Sequence, residues 1–118
     1  LAKQVQIACD SAKLGSARVS GKQAPSHADT ESTLAELRAR IQSTVSFLQT
    51  LEAKDFEGAE TRKVTVPGGK LAVARDHLVE HVIPTFYFHV TTTYALLRHN
   101  GVDLGKADFL GPKRTENA

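Results

Sequence analysis

The sequence lacks several features that would suggest particular protein classes. It has no methionine or tryptophan, one cysteine and only four prolines in 118 residues. The single Cys9 excludes an internal disulfide, so we expect a reducing, cytoplasmic setting. No apolar run approaches the roughly 18 residues of a membrane span, and no signal peptide is visible. The net charge of +2 comes from scattered basic residues, which argues against nucleic acid or an acidic membrane as partner.

Length and composition indicate one soluble domain. Hydrophobic residues make up 41% of the chain and charged residues 24%, which is ordinary for a globular protein. We assign residues 1–111 to a single domain and 112–118 to a polar tail. The predicted first helix starts at Leu1 without an N-cap, so we expect an upstream helix to be missing.

Two long helices are predicted in the first half. The first covers Leu1–Ser20 and ends at Gly21, a residue that suits a left-handed C-cap. A loop follows over Lys22–Asp29 and contains His27, which by itself indicates no function. The second helix covers Thr30–Ala53 and contains a Thr33-x-x-Glu36 capping box. The first helix carries small and apolar residues on one face, namely Val5, Ala8, Ala12, Gly15 and Val19.

A hairpin and a last helix are predicted in the second half. Lys63–Val66 alternates as a strand does, and Pro67-Gly68-Gly69 is a turn signal before a second strand near Leu71–Val73. Helical character resumes over Arg75–Val82. Pro84 then either starts a new helix or kinks a continuous one.

The last helix is predicted to end at His99, before the stop signal Asn100-Gly101. Val102–Gly111 is predicted to be irregular. The buried face of this helix consists of Phe86, Val90, Thr93 and Leu97.

His89 and Thr93 are candidate site residues because they lie one turn apart beside the buried face of the last helix. A neutral imidazole there could bind a metal or act as a general base. A structural alternative is a half-buried histidine that hydrogen-bonds to a neighbouring helix. Ligand partners for a metal are not evident in the sequence.

Tyr94 and Arg98 lie on the other flank of the last helix, four residues apart. Arg98 could hold a carboxylate or phosphate of a ligand. Alternatively, it forms an internal ion pair with Asp103, Asp108 or Asp10.

His77 and His81 have the spacing that places two imidazoles on one helix face, as many zinc sites require. The helical phase of the last helix, extended backwards, predicts that this face is solvated. Cys9, on a helix with small neighbours, is expected to be a buried small hydrophobe and not a nucleophile.

Three segments of the chain resemble an uncharacterised family, the domain-of-unknown-function family numbered nineteen ninety-three. They are QVQIACDSAK (Gln4–Lys13), FEGAE (Phe56–Glu60) and FYFHVTTTYALLRHNGVDLGKADFLG (Phe86–Gly111). The resemblance implies a relation to the DinB/YfiT-like proteins, which are four-helix bundles and often dimers. It therefore implies an up-down helical bundle with a small hairpin before the last helix, and a homodimer.

The DinB-like superfamily often holds a divalent metal through three histidines, two of them in an H-x-x-x-H pattern. The resemblance implies that His89 stands at the last of these positions. Thr85 occupies the position one turn earlier, and the ligand on an earlier helix would fall near Gln6 or Asp10. The sequence thus keeps one histidine of the triad.

These observations lead to three functional hypotheses. The first is a cytoplasmic bundle protein that binds a small ligand or partner through a polar pocket on the last helix. That pocket would be lined by Asp10, His89, Thr93, Tyr94 and Arg98. The second is a metal-dependent hydrolase or transferase with a degenerate triad, in which His89 binds the metal. The third is a structural dimer module.

Overall fold

The computed structural model describes residues 1–112 of the chain. It is mainly helical with one small antiparallel sheet, as the sequence predicted. The elements in chain order are α1 (Ala2–Ser20), α2 (Leu34–Leu48), a 3-10 turn (Ala53–Phe56), β1 (Lys63–Val66), β2 (Lys70–Val73), α3 (Ala74–His77), a π-helical segment (Leu78–Val82), α4 (Ile83–His99) and α5 (Lys106–Leu110). All but Pro112 of the predicted polar tail lies outside the described residues.

Helix α1 is the central element. It packs against α2 on one side and against α4 and the π-helical segment on the other, whereas α2 and α4 hardly touch each other. Its small residues allow this double packing, since Ala8 and Ala17 are both buried. The helix ends at Gly21, whose φ of 76° is the predicted left-handed cap, and the Gly21 N–H donates to the Ala17 carbonyl over 2.8 Å. The three helices therefore leave an open groove between α2 and α4, with α1 as its floor.

Helix α2 is shorter at both ends than the predicted Thr30–Ala53. Thr33 is extended and acts as the N-cap, with its hydroxyl accepting the Glu36 N–H over 3.2 Å. The Glu36 carboxylate in return accepts the Thr33 N–H over 2.8 Å, so the predicted capping box is confirmed. The helix ends at Leu48 because the Thr50 N–H and hydroxyl both bond to the Phe47 carbonyl, which tightens the last turn.

The predicted hairpin is confirmed with the predicted turn. Strand β1 pairs with β2 from Lys63 opposite Val73 to Val66 opposite Lys70. Gly68 and Gly69 both have positive φ, a conformation that is unfavourable for residues with a Cβ atom. A small hydrophobic cluster anchors this end of the fold to α1, and it consists of Val19, Ala59 and Ala74 with Phe56, Val64 and Leu78 around them.

Pro84 neither starts a separate helix nor breaks one. The backbone is helical without interruption from Ala74 to His99, and Pro84 is the second residue of α4. The π-helical segment directly before Pro84 explains this. Its wider turn accommodates a residue that has no backbone N–H to donate. The predicted boundary at Pro84 is thus a local change of helix type.

The C-terminal part departs from the prediction in one element. The predicted irregular stretch, 102–111, contains the short helix α5. Gly105 precedes it, and the Gly105 N–H donates to the Asp108 carboxylate over 2.8 Å, which supplies an N-terminal cap. Along residues 1–112, no helix combines the length and the apolar character needed to cross a bilayer.

Candidate functional site

His89 meets helix α1 at its first turn. Its Nδ1 lies 2.6 Å from the Oε1 of Gln4. Because a carbonyl oxygen can only accept, the ring carries its proton on Nδ1, and the neutral ring keeps a lone pair on Nε2. The structural interpretation of His89, a half-buried histidine bonded to a neighbouring helix, is therefore confirmed. Metal binding at His89 stays a prediction.

The other candidates on α4 have separate neighbours. The Thr93 hydroxyl donates to the His89 carbonyl over 2.9 Å. The Tyr94 ring packs edge-on against Phe109, with 5.9 Å between ring centroids. Arg98 donates from Nη1 to the Val102 carbonyl over 2.9 Å. Tyr94 and Arg98 thus fasten the C-terminal segment to α4.

The predicted ion pair of Arg98 with an aspartate is wrong for the described part of the chain. Between residues 1 and 112, every ion pair within 4 Å involves other cations. The reason is local, since the chain turns at Gly101 and brings the Val102 carbonyl back to the guanidinium. The role of Arg98 toward a ligand stays a prediction.

Asp10 belongs to a charged cluster between α1 and α2. Its Oδ1 lies 2.8 Å from Nη2 of Arg40 and 3.1 Å from Nζ of Lys13. Lys13 and Arg40 are almost fully buried, at 1% and 2% exposure. Arg40 also reaches Asp29 over 2.9 Å and Glu31 over 3.0 Å. Three carboxylates therefore surround one buried guanidinium.

Mutual stabilisation in this cluster shifts several pKa values. Burial alone would lower the pKa of Arg40, but the hydrogen bonds that Arg40 donates to Glu31 and Asp10 outweigh burial and raise it. A hydrogen bond from Lys3, and a second from Arg40, lower the pKa of Asp29. The backbone N–H of Glu31 and then the Gln6 amide, which donates over 2.8 Å, lower the pKa of Glu31. Arg40, Asp29 and Glu31 are thus held in their charged forms.

Sequence reasoning missed this cluster, although one signal was present. Gln6, Asp10 and Lys13 are spaced four and three residues apart, so they form a polar stripe along one face of α1. Their partner Arg40 lies on the buried face of α2 beside Leu37 and Thr44. A polar stripe on a helix that is otherwise small and apolar indicates a buried ionic interface.

The predicted solvated position of His77 is wrong. The residue is buried, and its ring stacks on that of His81 with 5.3 Å between centroids. The π-helical segment accounts for the error, because its wider turn shifts the helical phase between α4 and α3. Burial, and then the charge of Arg18 and of His81, lower the pKa of His77. Within residues 1–112, no three side chains of the metal-binding types are placed to hold a metal ion.

The groove between α2 and α4 is a cavity of about 310 Å³ with apolar walls. Thr44, only 4% exposed, is one of its two hydroxyl residues. Its Oγ1 is buried with no oxygen or nitrogen partner in residues 1–112, and the weakly bonding Cys9 thiol lies beside it. Burial raises the pKa of the neighbouring Cys9 thiol, consistent with the predicted buried small hydrophobe. The lining consists of Val5, Ala8, Cys9, Ala12, Ile41, Thr44, Val45, Leu48, Phe86, Val90 and Thr93.

Comparison with known families identifies the family. The model of the family described as a domain of unknown function, DUF1993, matches residues 1–110. The chain belongs to the DUF1993 family. A comparison with curated proteins yields no match.

A solved structure of another protein has the same fold as this DUF1993 chain. It is the crystal structure of a DinB family member protein from Shewanella denitrificans, with 46% sequence identity and a TM-score of 0.93. The similarity covers 99% of the present chain and 68% of the other. The predicted relation to DinB-like proteins is confirmed.

Proposed function

We propose that this DUF1993 domain binds a small ligand in the groove between α2 and α4. The observation that carries the proposal is the Thr44 hydroxyl, which is buried in the wall of an apolar cavity with no oxygen or nitrogen partner in the described chain and only the weakly bonding Cys9 thiol beside it. A buried hydroxyl without a partner is costly, so such groups normally have one in the functional state. A ligand that bonds to Thr44 would supply it.

The lining defines the chemistry of that ligand. A volume of about 310 Å³ lies at the lower end of small-molecule sites. The walls are apolar apart from Thr44 and Thr93, and the Thr93 hydroxyl already donates to His89. The best match is a compact apolar molecule with one hydrogen-bonding group, which Thr44 orients. The His89–Gln4 pair is not part of this lining.

A fourth helix belongs to the same proposal. The groove walls on α2 and α4 carry apolar side chains, of which Ile41 is 43% exposed and Val45 is 38% exposed. The DinB family structure is longer than the present chain, which matches 68% of it. We propose that a helix upstream of residue 1 lies over these side chains, completes a four-helix bundle and turns the groove into an enclosed chamber.

Ligand binding is tested with 1-hexanol on the full-length protein, followed by amide chemical shifts around the groove. We expect saturable binding, and a Thr44→Val variant that binds about fivefold more weakly, since one neutral hydrogen bond is worth about 1 kcal/mol. Thr92→Val is the matched control, because the Thr92 hydroxyl bonds to Phe88 outside the groove. Equal hexanol affinity of wild type and Thr44→Val would contradict the proposal.

The fourth helix is tested by a pair of neighbouring substitutions in the full-length protein. Val45→Asp should lower the free energy of unfolding by about 3 kcal/mol or more if a helix covers the groove, since a buried charge would lack a partner. Ser46→Asp, at an exposed position one residue further, should change it by no more than about 0.5 kcal/mol. Urea unfolding measures both. If the Val45→Asp protein is as stable as the Ser46→Asp protein, no helix covers the groove.

A homodimer is the second candidate, favoured by the outer face of α4. Tyr87 and Phe88 are 54% and 65% exposed there, and adjacent large exposed aromatic residues are typical of protein interfaces. We expect a dimer in sedimentation equilibrium and a monomer for Phe88→Arg. A monomeric wild type excludes this candidate without affecting the ligand site.

A further inference from the structure

The connection between α1 and α2 is held down by side chains and not by regular structure. Residues 21–33 contain neither helix nor strand. Near its start, Lys22 pairs with Asp55 over 2.7 Å. Toward its end, Asp29 and Glu31 bind Arg40. His27 is the fastening point between these two ends.

His27 bridges both helices. Its Nδ1 lies 2.6 Å from Nζ of Lys13 on α1, and its Nε2 lies 3.0 Å from Oγ of Ser43 on α2. A lysine ammonium can only donate, so Nδ1 must be an acceptor. The ring is therefore neutral, with its proton on Nε2, and it donates that proton to Ser43. The contact with Lys13 exists only while the ring is neutral.

A proton on Nδ1 would face a cation at contact distance. The Lys13 side chain is 2% exposed and so cannot turn into solvent without leaving the interface. The second cation near the ring, Arg40, is equally buried. Burial, and then the charges of Lys13 and Arg40, lower the pKa of His27 and outweigh Asp10 and Glu31, which act in the opposite direction.

The carboxylates near His27 already have partners. Asp10 is shared by Lys13 and Arg40, and Glu31 is held by Arg40 and Gln6. Glu36 lines the same cavity as His27 but is bound to the cap of α2. A protonated ring would thus find cations nearby and only occupied acceptors.

We propose that His27 is a pH-sensitive latch: protonation of its ring detaches the central part of the 21–33 connection from α1 and α2. In the detached state, the cavity of about 340 Å³ that already lies between this connection and α2 loses its His27 wall, and the buried Lys13 becomes exposed. The cavity is lined by His27, Thr30, Glu31, Glu36, Ala39 and Arg40.

The sign of the effect follows from linkage. The pKa of His27 in the closed state is lowered from the ordinary 6.5. The imidazole therefore binds a proton more tightly when the connection is open than when it is closed. Closure is complete above pH 6.5 and weakens as the pH falls from 6.5 toward the lowered pKa. The equilibrium constant for closure should fall by up to about tenfold per pH unit in this window.

The test is an NMR titration between pH 7.5 and 5 that follows the amide chemical shifts of residues 22–31 and the ring pKa of His27. We expect these shifts to move toward random-coil values below pH 6.5 in wild type and to be independent of pH in His27→Gln, whose amide stays neutral. His99→Gln changes an exposed histidine and should behave as wild type.

Three results decide the matter. A His27→Gln protein that keeps the wild-type pH dependence overturns the latch. So does a wild-type connection whose amide chemical shifts are the same at pH 7.5 and pH 5. A His27→Gln connection that is open at both pH values shows that the two ring bonds hold it closed, and this supports the latch.

Discussion

Gly15 of α1 lies directly against Val82 of the π-helical segment. A Cβ built on Gly15 would come within 2.7 Å of the Val82 Cγ2 atom and closer still to Cγ1. No side chain fits at such distances, so the absence of a side chain at Gly15 sets how closely α1 approaches the last long helix. The alignment of the groove floor with its α4 wall depends on this contact.

Gly15→Ala should therefore destabilise the protein. Alanine favours a helix over glycine by about 1 kcal/mol, whereas overpacking a core costs about 1–3 kcal/mol. The near-complete overlap with Val82 places Gly15→Ala at the upper end of this overpacking range. We expect a net loss of about 1–2 kcal/mol in urea unfolding. Gly105→Ala is the control, because its Cβ would meet only Asp108 at an ordinary 3.8 Å. Adding Val82→Ala should restore part of the loss, and the absence of such coupling would refute the steric explanation.

Arg40 should be the most sensitive charged residue of the domain. Arg40→Met leaves three carboxylates around a missing cation, and the loss of one partner from a buried ionic cluster costs about 3–5 kcal/mol. Arg40→Lys should also destabilise, because an ammonium lacks the planar fork that reaches several carboxylates at once. Urea unfolding measures both. Arg38→Met, at an exposed position of the same helix, should be near neutral, and an equal loss there would contradict the role of the cluster.

The fold was predictable where the determining interactions are local. The Thr33–Glu36 capping box and the Pro67-Gly68-Gly69 turn act within a few residues, and the structure confirms both. The site was harder to predict because its contacts are distant in sequence. His27 contacts Lys13 and Ser43, at separations of 14 and 16 residues, through a loop whose course has no periodic signal.

The error at His77 has a physical cause of a different kind. Counting 100° per residue assumes one helix type, and five π-helical residues before Ile83 break that assumption. The sequence signal was Pro84, which was compatible with either a break or a continuous helix. Knowing only that a helix continues through a proline does not fix the phase on its far side.

Acid should weaken the cluster through Glu31. Its pKa is lowered in the folded state from the ordinary 4.5, so its contribution to stability is complete above pH 4.5 and is lost as the pH falls through the lowered value. Glu31→Gln should flatten the pH dependence of unfolding below pH 4.5 and leave it unchanged above pH 6. Glu57→Gln, at an exposed position, is the control. An identical acid profile for wild type and Glu31→Gln would rule out this contribution.

Cys9 offers a direct probe of the groove, because it is the only cysteine and lines the cavity. Its thiol is buried and its pKa is raised, so little thiolate forms near pH 8. We expect reaction with a disulfide reagent such as dithiodipyridine to be slower in the native protein than in urea, since burial both encloses the sulfur and raises the pKa of the thiol. A bound ligand that contacts Thr44 should slow the reaction further. Native reactivity equal to that in urea would show that Cys9 is not enclosed by α1, α2 and α4.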